Sequence, residues 1–118
     1  MANAHRGEIA AVLDGRPRTL VLTLGALAEL ETAFAVDDLV ALAERFSRGR
    51  LSAADMVRVI AAGLRGAGET ITDAEVAALR AEGGAAGFAR LVSALLSATF
   101  GGPEAAGEDA RPPAPQVG

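Results

Sequence analysis

Four arginines crowd around one glycine in this chain: Arg45, Arg48, Arg50 and Arg58 flank Gly49. Guanidinium forks suit carboxylates and phosphates, so the cluster is a candidate surface for an acidic partner. Glu44 and Asp55 lie beside it and no aromatic platform interleaves it, which fits a solvated corner between two helices. His5, the sole histidine, lies in a polar stretch with only Glu8 close in sequence. A metal ligand or general base needs converging partners, and none is evident there. Ser47, Ser52, Ser93 and Ser97 therefore have no histidine base unless His5 folds back. Glu29 and Glu31 are two apart and do not share a helix face, while Asp37 and Asp38 suit a helix start. Gly63-Leu-Arg-Gly-Ala-Gly68 imitates a phosphate loop, but it follows a predicted helix and no Lys-Ser/Thr comes after it. It reads as a helix stop and connector. With no cysteine and no lysine, disulfides, thiol nucleophiles, Cys-based zinc sites and Schiff bases are excluded. No catalytic, cofactor or metal set emerges, so the chain is not expected to be an enzyme or to take a small-molecule substrate.

The elements that would position these residues can be read in order. Glu8 to Leu13 and Arg18 to Thr23 alternate as strands do, with Ile9, Ala11 and Leu13 on one face and Leu20 and Leu22 on one face. Asp14-Gly15-Arg16-Pro17 lies between them, and Asp-Gly supplies the positive φ angles of a tight hairpin. Thr23 can cap a first helix bearing Leu24, Leu27, Leu30 and Phe34, and Asp37 a second bearing Leu39, Leu42, Ala43 and Phe46. Ser52 and Asp55 form a variant capping box before Met56, Val57, Ile60 and Leu64, and Gly63, Gly66 and Gly68 are expected to end that third helix. Thr72 and Glu75 form a regular capping box before Val76 and Leu79, and Gly83 and Gly84 are expected to close the fourth helix. Phe88, Leu91, Val92, Leu95 and Leu96 make the clearest helical stripe. That stripe reads as core. Exposed, it would be a docking surface, so Phe88, Leu91 and Leu95 join the four arginines as candidate partner contacts.

The expected architecture is α+β: an N-terminal β-hairpin packed on a small bundle of four to five helices, with a disordered C-terminal tail. The 118 residues divide into a single domain over 1–101 and a tail over 102–118, which holds four of the five prolines and one large aliphatic residue, Val117. The net charge of −4 argues against a nucleic-acid binder. No apolar leader segment is visible, and the longest nearly apolar run is too short to span a bilayer. A cytoplasmic protein is expected.

The runs His5-Arg6-Gly7-Glu8, Leu13-Asp14-Gly15 and Leu22-Thr-Leu-Gly-Ala-Leu-Ala-Glu-Leu-Glu31 resemble a family of small tail-assembly proteins. These occur in gene transfer agents and siphophage-like tail clusters of alphaproteobacteria. Gly63-Leu-Arg-Gly-Ala-Gly68 and Ile71-Thr-Asp-Ala-Glu-Val76 match the same pattern, and order and spacing carry the likeness over residues 3 to 101. The resemblance implies a non-enzymatic tail assembly chaperone that binds the tape measure protein, helps recruit tail tube subunits and then leaves. It equally implies the alternative of a structural tube or minor tail component retained in the particle. It supplies no catalytic residues and no residue-level binding motif. A homo-oligomer is a further option, because an apolar face left unfilled in the monomer would serve one.

Overall fold

The structure, a computed structural model, describes residues 7–48 and 50–101. His5, Arg6, Gly49 and the expected tail over 102–118 lie outside the described residues. The order of elements is β1 (Glu8–Leu13), β2 (Arg16–Val21), α1 (Leu24–Ala33), α2 (Leu39–Ser47), α3 (Ala53–Gly66), α4 (Asp73–Ala77) and α5 (Gly84–Phe100). A two-stranded hairpin and five helices thus make the expected α+β architecture.

The hairpin is tighter than the four-residue connection expected. Asp14 (φ 54°) and Gly15 (φ 73°) are both left-handed, so two residues reverse the chain and β2 begins at Arg16. The register pairs Leu13 with Arg16, Val12 with Pro17 and Ile9 with Leu20. By the alternation of an antiparallel ladder, Pro17 falls at a non-hydrogen-bonded pair, where its missing N–H removes no bond. Leu13 and Leu20 are fully buried on one face, whereas Val12 on the other is 52% exposed.

The Thr23 hydroxyl caps α1 by accepting from the Ala26 N–H at 3.1 Å. Leu24, expected on the buried stripe, is 76% exposed; Ala26, Leu27 and Leu30 form the stripe instead. Leu24 falls off the face that these three residues bury. The helix ends in a Schellman turn, with the Val36 N–H donating to the Glu31 carbonyl (3.0 Å) and the Ala35 N–H to Thr32 (3.2 Å). Ala35 therefore takes φ 56°, a position that favours glycine.

The cap of α2 is Asp38 rather than Asp37: its carboxylate accepts from the Ala41 N–H at 2.8 Å. Leu42 and Phe46 are buried, and Leu39 and Val40 in the first turn are exposed. Ser52 and Asp55 cap α3 reciprocally, as the sequence suggests. Six consecutive residues, Val59 to Leu64, are buried, because α3 packs against β2, α1, α4 and α5 at once. The glycine run does end α3, whose last residue is Gly66 and beyond whose cap Gly68 takes φ 103°, but Gly63 and Gly66 have a second role. They lie within α3 and let β2 come close: a Cβ on Gly66 would stand 2.1 Å from the Val21 carbonyl oxygen.

The Thr72–Glu75 capping box opens the five-residue α4, which buries Val76. The chain then returns to the hairpin. The Asp14 N–H donates to the Arg80 carbonyl and the Arg80 N–H to the Asp14 carboxylate, each at 2.8 Å, and Ala81 bridges Leu13. Gly83 and Gly84 do not close α4. Gly83, at φ 87°, is the N-cap of α5, and Gly84 is its first residue. Leu91, Val92 and Leu95 of α5 complete a continuous apolar core with both strands and α1 to α4.

Candidate functional site

The four arginines of the α2–α3 corner divide into two pairs. Arg45 is committed to the fold: it donates to the Asp55 carboxylate (3.2 Å) and the Arg50 carbonyl (3.2 Å), and its guanidinium lies 5.3 Å from the Phe34 ring centroid. An aromatic residue therefore does meet this cluster, brought from the end of α1. Arg58 donates to the Ala33 carbonyl at 3.0 Å and so satisfies the last turn of α1. Arg48 and Arg50 are exposed, and their guanidinium groups make no ion pair among the described residues.

Asp55 shows how firmly the Arg45 side is held. Partial burial opposes ionisation of its carboxyl. The Ser52 backbone N–H, the Arg45 guanidinium and the Ser52 hydroxyl together outweigh burial and hold the carboxyl below its ordinary value.

The stripe residues also separate. Leu91 and Leu95 are buried in the core and present no surface, while Phe88 is half-buried against that core. The other flank of α5 faces an open groove of about 510 Å³. Ala89, Val92, Ser93, Leu96, Ser97 and Phe100 form one wall. Ala43, Phe46 and Ser47 of α2, with Leu51 and Met56 around the start of α3, form the other. Phe46 joins the two walls, edge-on to Phe34 at 5.2 Å between centroids and 6.4 Å from Phe100. No lining residue is charged. Arg48 follows the lining Ser47 and Arg50 precedes the lining Leu51, so the two unpaired cations adjoin the groove, as does the exposed Glu44, which follows the lining Ala43.

Ala89, Ser93 and Ser97 recur every four residues, and this spacing was the legible sign of the wall. The groove could not be located from sequence, because its opposite wall comes from residues about 40 to 50 positions earlier. A second cavity of about 340 Å³ lies between β1 and α5, with Glu82 and Arg90 at its edge.

Such a site offers apolar area, small hydroxyls and two cations. No helix among the described residues is long and apolar enough to cross a membrane.

Among known proteins, a family described as phage tail tube protein, GTA-gp10, matches residues 6–102. No curated protein and no solved structure matches.

Proposed function

The chain belongs to the GTA-gp10 phage tail tube protein family, and on that premise we propose that it acts as a non-enzymatic tail assembly chaperone. In this reading it binds the tape measure protein in the cytoplasm, helps recruit tail tube subunits and is then released. The single observation that carries the reading is the groove that the described residues leave open between α2, α3 and α5, with its uncharged walls. A groove of that kind takes the apolar face of a helical segment. The architecture supports the same reading. A subunit that stacks into a tube needs extensive β-structure, and the described residues hold one two-stranded hairpin among five helices.

A second reading has its own observation. The family's description is that of a tube protein, which favours a structural component retained in the particle. Isothermal titration against overlapping tape measure fragments tests the chaperone reading. Binding to at least one fragment is the expected result, and no heat with any fragment would overturn it.

A further inference from the structure

We propose that the α2–α3–α5 groove is built for an amphipathic helix carrying acidic residues at one end, and that Arg48 and Arg50 clamp that acidic end. The proposal rests on the chaperone reading for its biological setting and goes beyond it in fixing site, partner chemistry and orientation.

Three observations fix the occupant. The first is the nature of the walls. All the lining residues but Leu51 are helical, so their backbone groups are bonded internally and the walls offer no sheet edge to an extended chain. An extended occupant would bury unpaired backbone groups there; a helix satisfies its own. The second is length. Ala89 and Phe100 bound the α5 wall, and at about 1.5 Å of rise per residue this is about 16 Å, or three turns. The occupant is therefore a short segment with apolar residues at i, i+3 or i+4, and i+7.

The third observation is charge. The chain is net negative, yet where α2 gives way to α3 the exposed side chains without an ion pair, Arg48 and Arg50, are both positive; the exposed acid Glu44 adjoins the lining Ala43 about one turn earlier on α2. Arg45 and Arg58, in the same corner, are already bonded within the fold. Only Arg48 and Arg50 remain to meet an incoming carboxylate, and a fixed cationic end gives the occupant a direction.

The test uses fluorescence anisotropy with the full chain and three labelled peptides. The peptides share one amphipathic helical stripe and end in acidic, neutral or basic residues. The acidic-ended peptide should bind best, by about tenfold over the basic-ended one at low salt, with the gap closing at high salt. The double variant Arg48→Glu/Arg50→Glu should reverse that preference, while Arg48→Lys/Arg50→Lys should retain it. Ser93→Arg should abolish binding of all three, and Ala89→Glu gives a second obstruction if that variant does not fold. Equal affinity for the three peptides, or binding untouched by either obstruction, would overturn the proposal. So would self-association of the chain that Ser93→Arg abolishes in sedimentation equilibrium, because a second copy would then hold the groove. Removal of residues 102–118 that strengthens peptide binding would overturn it too, because the chain's own tail would be the competitor. The two ideas fail separately: tape measure fragments that bind Ser93→Arg normally keep the chaperone reading and sink the groove. Acid-selective peptide binding without any tape measure binding does the reverse.

Discussion

At Gly66, helix preference and packing point in opposite directions. Alanine is favoured over glycine in a helix by about 1 kcal/mol. A Cβ here would meet the Val21 carbonyl, a backbone atom that cannot swing aside, at 2.1 Å. Forced overpacking of that kind costs about 1–3 kcal/mol and wins. Gly66→Ala is expected to lower the urea midpoint, and an unchanged midpoint would show that α3 and β2 are not in contact as described. Ala35 presents the opposite case. It holds the left-handed position of the Schellman turn ending α1, at φ 56°. Ala35→Gly is expected to raise stability by about 0.5–1 kcal/mol, measured by the same urea titration. These residue-scale facts were not legible in advance. The glycine run reads as a helix stop, which holds at Gly66 and Gly68; only the path of β2 shows that Gly63 and Gly66 are also a contact face.

At the scale of elements, local signals did most of what the sequence could do. The Asp-Gly turn, the two capping boxes and the α5 stripe were all readable, because each depends on residues within a few positions of one another. What failed was decided over distance. Gly83 and Gly84 open α5 instead of closing α4 because residues 80 and 81 are drawn back to the hairpin by Asp14 and Leu13. Leu24 is exposed because it falls off the face of α1 that Ala26, Leu27 and Leu30 bury. The start of α3 carries its own expectation. Asp55 is held below its ordinary pKa, so its stabilising contribution is fully present above the unfolded value, about pH 4. That contribution is lost as pH falls through the folded value. The stability gap between the protein and Asp55→Asn should therefore be present at pH 7 and shrink below about pH 4. Denaturant titrations over pH 3–7 would show it, and a gap constant across that range would mean that Asp55 is not the ion the capping box holds.

At the scale of the whole molecule, the domain sets a shared apolar core beside an uncharged groove with two unpaired cations adjoining it. Its family is one of phage and gene-transfer tail-related proteins. Its helical body and open groove suit a protein that holds another chain during assembly better than one that stacks into a wall. That distinction was only partly legible in the sequence. The motif order pointed to the family, whereas the groove joins residues from α2, α3 and α5 that no local pattern connects. The choice between transient helper and retained part is settled most directly by following the protein quantitatively, by immunoblot, from assembly intermediates into purified finished particles. Abundance in the intermediates with loss from finished particles is the expected result for a chaperone. Retention at a fixed number of copies per particle would contradict it and assign the protein to the tail structure itself.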